Sequence, residues 1–172
     1  MTPLAFALLG LIRDEPRSGY ALRKVFETTP MGNYSSSPGS IYPALKNLQT
    51  AGLIASQSAG PRKSVFAITP GGLEAFVTWL AQPVTAKEDP NIALLRFAFL
   101  QDDRRQSLDF LLSFARCAHG KIVALKGFLG SEPGRSMPLQ AQLAVQHGLR
   151  TTEAAAEWAA DAYRQLKEET KP

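Results

Sequence analysis

Between residues 103 and 130 the apolar positions Leu108, Leu111, Ala115, Ala118, Ile122, Leu125 and Leu129 recur at alternating spacings of three and four. Side chains so spaced fall on one stripe of an α-helix, and three heptads of them predict a coiled-coil-like seam. The stretch Gly130-Ser131-Glu132-Pro133-Gly134 ends the pattern, and an alanine-rich run from about Met137 to Lys167 predicts a second long helix. At about 1.5 Å per residue that helix runs on the order of 45 Å, with Gly148 or Thr151-Thr152 as the place for an interruption. Two arrangements suit such a pair: a helical hairpin within one chain, or a surface that pairs with a second chain. The second is favoured, because a helical arm of this size buries little by itself. On that reading Leu108, Leu111, Ala115, Ile122, Leu125 and Leu129 carry dimerisation, with the last helix as the alternative seam.

The first half of the chain is punctuated differently. A capping residue followed by proline occurs at Thr2-Pro3, Ser37-Pro38, Thr69-Pro70 and Asp89-Pro90, and each marks a helix start. Ser18 marks another, ahead of the apolar positions Leu22, Val25 and Phe26, and Asp102 or Asp103 a sixth. Between the second and third marks, residues 53–57 and 64–69 are short and rich in Val, Ile and Phe, which predicts a β-hairpin with a basic tip at Arg62 and Lys63. The order up to residue 82 is then helix, helix, helix, hairpin, helix. The fold class expected is mainly α with a small β-hairpin, in two parts, 1–82 and 83–172.

Composition narrows the chemistry. The 172 residues are 45% hydrophobic and 20% charged, globular proportions that exclude a disordered or collagen-like chain. The single cysteine, Cys117, cannot form an intrachain disulfide or a thiolate zinc cage, which fits a reducing cytoplasm. The apolar run from Leu4 to Ile12 is nine residues long and has no basic lead, so neither a signal peptide nor a membrane span is expected. There is no glycine-rich phosphate loop, no Gly-x-Ser-x-Gly and no His-Glu-x-x-His, so no catalytic residue, cofactor or metal is expected. His119 and His147 read as surface or interface residues, and Cys117 and His119, two apart on a helix, do not share a face.

Charge points to a polyanion. Nineteen Lys and Arg against fifteen Asp and Glu leave a formal +4, of which +3 falls in residues 1–82. Residues 28–73 contain no acid at all while including Lys46, Arg62 and Lys63. A surface that meets phosphate gains by excluding carboxylates as well as by adding cations. On a helical wheel of the third helix, Ile41, Leu45 and Leu48 form a buried stripe. Pro43, Lys46, Asn47 and Thr50 point away from it, and Tyr42 and Gln49 flank one edge. The small residues Ser37, Gly39 and Ser40 would let backbone N–H groups at this helix start approach a phosphate. Pro43 requires that regular helix begin near Ser40, or that the chain bend there.

Taken together, Leu8-Leu9-Gly10-Leu11-Ile12, Ser18-Gly19-Tyr20, Ser40-Ile41-Tyr42-Pro43-Ala44-Leu45-Lys46-Asn47-Leu48, Ala51-Gly52-Leu53-Ile54 and Phe66-Ala67-Ile68-Thr69 with Gly72 resemble the PadR family of winged helix-turn-helix regulators. The resemblance spans about residues 4–80. The rest is similar, in length and helicity, to the C-terminal domain of longer PadR-type regulators and of the virulence activator alpha group. The resemblance implies an N-terminal winged helix-turn-helix domain, a C-terminal long-helix dimerisation domain, and a cytoplasmic homodimer that represses transcription from a palindromic operator. It implies double-stranded DNA as partner, with Tyr42, Lys46 and Asn47 on the groove-facing helix. Arg62 and Lys63 would then lie on the wing, and Ser18 and Tyr20 at a phosphate. Relatives that answer to phenolic compounds or drugs imply a small aromatic effector. Trp79, Trp158, Phe97, Phe99, Phe110, Phe114 and Phe128 are material for its pocket or for core. Two features depart from the family pattern: Asn47 and Gln49 stand where many relatives carry Arg and Glu, and Phe66 where many carry Tyr. Asn and Gln pair with adenine, so an A·T-containing half-site is expected. The rival expectation is a winged-helix dimer that binds protein and not specific DNA.

Overall fold

A computed structural model of the chain describes residues 1–29, 38–58, 60, 64–101 and 103–169. Its elements run α1 (Pro3–Asp14), α2 (Gly19–Thr28), a 3-10 turn (Pro38–Ser40), α3 (Ile41–Thr50), β1 (Ile54–Ser58), β2 (Ser64–Ile68), α4 (Pro70–Leu80), α5 (Pro90–Ala98), α6 (Arg104–Gly130), the single turn α7 (Glu132–Arg135) and α8 (Leu139–Glu168). The fold is thus mainly α with one small antiparallel hairpin. Five expected caps hold their helices. The Thr2 hydroxyl accepts from the Ala5 N–H, Ser18 from Ala21, Thr69 from Gly72, and the carboxylates of Asp89 and Asp103 from Asn91 and Gln106. Ser37 lies outside the described residues, and α3 begins at Ile41 behind the 3-10 turn, which places Pro43 in its first turn.

The chain divides into two compact units, one of Met1–Gln82 with Leu94–Phe99, the other of Pro83–Ala93 with Leu100–Pro172. In the first, α1 is covered almost all round: Ala7, Leu8, Leu9 and Ile12 are buried, as a helix at the centre of a small core must be. Phe26 and Leu22 of α2, the stripe Ile41, Leu45 and Leu48 of α3, Ile54 of β1 and Phe76 of α4 complete this core. Each fully buried Leu, Ile or Phe stabilises it by about 1.5–3 kcal/mol. α3 ends in a Schellman turn, where Gly52 at φ +72° donates to the Gln49 carbonyl and Leu53 donates to that of Leu48. The turn delivers the chain into β1, which pairs with β2 from Ile54↔Ile68 to Ser58↔Ser64. A third short piece, absent from the sequence expectation, joins the hairpin: Arg17 and Phe66 exchange backbone hydrogen bonds of 3.1 and 2.8 Å.

Residues 94–99 belong with this unit because of what they bury. Phe99 stacks edge-on to Phe76, and its ring fills the space beside Gly10, where an added Cβ would lie 2.4 Å away. Arg96 is 1% exposed, and its guanidinium donates to the carbonyls of Trp79 (3.4 Å) and Gln82 (2.5 Å) at the end of α4. Carbonyls left unpaired at a helix C-terminus carry partial negative charge and favour a cation there.

In the second unit α6 and α8 pack along each other as an antiparallel helical hairpin. Phe114 meets Trp158 edge-on, Lys126 pairs with Glu153 at 2.7 Å, and Arg104 donates to the Lys167 carbonyl. α8 is continuous from Leu139 to Glu168, contrary to the interruption expected at Gly148 or Thr151-Thr152. The threonine hydroxyls bond back to carbonyls one turn earlier, Thr152 to Gly148 at 2.6 Å and Thr151 to His147 at 3.1 Å, so both side chains are satisfied without leaving the helix. Among the described residues no helix is long and apolar enough to cross a membrane.

Replacing Arg96 by Met keeps the bulk and deletes both bonds to the α4 terminus. The expected loss is about 2–3 kcal/mol, seen as a lower urea midpoint for the transition that buries Trp79. An unchanged midpoint would mean that water serves those carbonyls equally well.

Candidate nucleic-acid interface

The third helix presents two faces of opposite character. Ile41, Leu45 and Leu48 are buried against the core, and every other position from Tyr42 to Thr50 except half-buried Ala44 is exposed. The exposed positions sort into two stripes by helical spacing: Tyr42, Lys46 and Gln49 form one, and Pro43, Asn47 and Thr50 the next. Beside the second stripe runs a groove of about 560 Å³, bordered by Pro43 and Asn47 on one side and by Met1, Thr2 and Leu4 on the other. Lys46 makes no ion pair among the described residues, so its ammonium is free for an external anion.

Where the start of α2 meets α3, two aromatic side chains stand out from the surface. Tyr20 is 62% exposed and Tyr42 50%, exposures that neither residue would show as a packed core aromatic. The guanidinium of Arg23 lies over the Tyr20 ring, 5.6 Å from its centre, and pairs with Glu27 one turn on. The Tyr42 ring is seated over Gly19. A Cβ on residue 19 would lie 2.8 Å from the ring edge, so the side chain missing at Gly19 is what admits the aromatic between α2 and α3. Ser18, next to it, spends its hydroxyl oxygen on the Ala21 N–H, which fixes the first turn of α2 and leaves the hydroxyl proton to donate outward.

Among the expected site residues, Ser18, Tyr20, Gly39, Ser40, Tyr42, Lys46 and Asn47 are all at the surface or half-buried, on α2, α3 and the 3-10 turn. Ser37, Arg62 and Lys63 lie outside the described residues. Gly39 and Ser40 take part in contacts of their own. Two contributors escape a sequence reading. Gly19 carries no periodic signal, only the company of Ser18 and Tyr20; Arg17 follows Pro16, with no alternating run to announce a strand. Phe66, the departure from a more usual Tyr, has its backbone taken by Arg17 and its ring half-buried.

Of the expected seam, Leu111 is already buried within one chain, and Leu108, Ala115, Ile122, Leu125 and Leu129 are half-buried. The apolar side chains left exposed on the long helices are others: Leu112, Val123 and Phe128 on α6, and Leu139, Leu143 and Trp158 on α8. Of the seven aromatics expected to form a pocket or core, Trp79 and Phe99 are core of the first unit, and Phe110 and Phe114 are buried in the second.

The sequence profile of the transcriptional regulator PadR-like family matches residues 8–77. The transcriptional regulator YqjI of Escherichia coli is 34% identical over 79 residues, a match that covers 46% of this chain and 36% of that protein. Among solved structures, Bacillus subtilis PadR in complex with p-coumaric acid is 24% identical, with 96% of each chain covered and a TM-score of 0.43. The Vibrio cholerae virulence activator AphA is 18% identical, with 97% of this chain and 99% of the other covered and a TM-score of 0.43.

The seat of Tyr42 is testable on its own. Gly19→Ala should leave the melting temperature within about 2 °C, because the better helix propensity of Ala offsets the displaced ring. It should also move the Tyr42 ring resonances in an aromatic proton spectrum. Resonances that stay put would show that the ring does not rest on residue 19.

Proposed function

Residues 8–77 make this a chain with a PadR-like transcriptional regulator domain, and from that premise we propose that it binds double-stranded DNA as a homodimer, recognises a palindromic operator and represses transcription from it. The observation that carries the reading is α3: buried on Ile41, Leu45 and Leu48, it turns Tyr42, Lys46, Asn47 and Gln49 outward within an acid-free stretch. A helix so anchored is shaped to lie in a major groove, with the hairpin following the adjacent backbone. Tyr20, Ser18 and the small residues Gly39 and Ser40 stand beside it as phosphate contacts, and Arg62 and Lys63 join them by their place in the wing sequence. Asn47 and Gln49 can each pair with adenine, which favours A·T pairs in the half-site.

Two copies are needed to read a two-fold operator. Leu112 and Val123, eleven residues apart on α6, share a face, as do Leu139 and Leu143 on α8. These exposed apolar side chains support a second chain packing on the helical hairpin, with Leu108, Ala115, Ile122, Leu125 and Leu129 at the edges of that contact. A small aromatic effector that releases the operator fits the same reading.

The test is a titration of labelled duplex from the upstream region of the gene at several salt concentrations. Affinity above that for random duplex, falling steeply with salt, is the expected result. A flat salt dependence, or no preference over random duplex, would favour the winged-helix protein-interaction module instead. Lys46→Ala should weaken binding and lower the log–log salt slope by about 1, as loss of one phosphate contact does. Leu143→Glu should shift the mass in light scattering from dimer toward monomer while the melting curve of the winged unit stays in place. A dimer that survives this change would put the seam elsewhere.

A further inference from the structure

Seen down its axis, α3 has one direction that points straight away from the core, opposite the buried stripe Ile41, Leu45 and Leu48. At about 100° per residue, Pro43 and Thr50 lie within about 15° of that direction, and Lys46 and Asn47 stand about 50° to either side of it. Thr50 is the last residue of the helix, whereas Pro43 is in its first turn. A recognition helix reads base edges with its N-terminal residues. The side chain placed to reach deepest is therefore a proline, and it is exposed.

Proline brings nothing polar to that place. Its ring has neither donor nor acceptor, and its backbone lacks the N–H that another residue in a first turn would leave unpaired. The groove that runs from it toward Met1 and Leu4, past Ala44 and Ala51, carries no charged side chain in its lining. Asn47, one turn on, is the next residue of the stripe. In a major groove guanine shows N7 and O6, adenine N7 and N6–H, and cytosine N4–H, while thymine alone adds a methyl carbon. A polar edge set against Pro43 gives up water and gains no hydrogen bond. A thymine methyl gives up no hydrogen bond to water and gains an apolar neighbour.

We propose that Pro43 is a specificity-determining residue that selects thymine through its 5-methyl group, next to the base pair whose adenine Asn47 engages. The proposal rests on the regulator reading above and goes beyond it in naming the atom that is read. Selection here works by exclusion as much as by contact: the other three bases present to Pro43 a donor or an acceptor that the proline cannot answer.

The test removes the methyl and nothing else. Duplex of the upstream region, made with uracil in place of every thymine, keeps each Watson–Crick pair and loses only the 5-methyl groups. Burial of one methyl against apolar carbon changes affinity about fourfold, and a two-fold operator presents the position twice, so the unaltered protein should bind the uracil duplex about fifteenfold more weakly. In Pro43→Ser that ratio should fall to within about twofold of one, and in Thr50→Ser, which deletes the other outward methyl, it should stay as in the unaltered protein. Should Pro43→Ser fold poorly, Pro43→Ala decides, because alanine is the better helix former and still removes most of the ring. Its ratio should lie below that of the unaltered protein. Equal affinity of the unaltered protein for the two duplexes, or a ratio that loss of the proline ring leaves unchanged, would overturn the inference and leave the regulator standing. No preference for the thymine duplex over random duplex would overturn both.

Discussion

A cation taken almost wholly out of water at Arg96 is the constraint on which the first unit turns. Burying a guanidinium costs several kcal/mol unless it finds acceptors, and here the end of α4 offers the carbonyls of Trp79 and Gln82 to its Nη1. The bond fixes where α4 stops and brings Leu95 and Phe99 onto the core. Phe99 then closes over Gly10 and Phe76, and its carbonyl accepts from Arg13 of α1. With Trp79 stacked on Phe6 at 4.3 Å, α1, α4 and α5 are tied into one frame. α3 packs its buried stripe Ile41, Leu45 and Leu48 on this unit, and its other face stays at the surface.

The outer face carries its own internal order. Tyr42 belongs to α3 but rests on α2, through the absent side chain of Gly19, so the two helices that would approach a nucleic acid are registered by a ring at the surface itself. Lys46 continues the same stripe as an exposed point charge, while Asn47 borders the groove beside the start of α1. An aromatic, a cation and an amide on adjacent turns give stacking, charge and hydrogen bonding within a few residues of one another.

Much of this was legible in the sequence wherever a local rule governs. Threonine, serine and aspartate caps declare helix starts because the orphan N–H groups of a first turn need an acceptor within three residues, and Thr2, Ser18, Thr69, Asp89 and Asp103 all supply one. The stripe of α3 was legible because burial follows a 3.6-residue period. What depends on distant residues left no mark: the Arg17–Phe66 bridge joins positions 49 apart, and Arg96 in an apolar run shows nothing of the carbonyls it would meet. The continuity of α8 was hidden for a different reason. Gly148 and Thr151-Thr152 lower helix propensity, and only packing along α6 with hydroxyl back-bonding outweighs that. The heptad of α6 was read correctly as an apolar stripe, but a stripe does not say which surface covers it, and Leu111 is covered within its own chain.

The first unit is assembled from two separated lengths of chain, and this bears on how the protein is made. During synthesis the first 82 residues leave the ribosome without Leu95, Arg96 or Phe99, with the Trp79 carbonyl and Gly10 still lacking those partners. The first unit therefore gains Phe99 beside Gly10 only once residue 99 has emerged, since a domain completes its core when its whole length has been made. A gene fragment cut at the apparent boundary after residue 82 would encode α3 complete but leave out Leu95, Arg96 and Phe99 of the same unit.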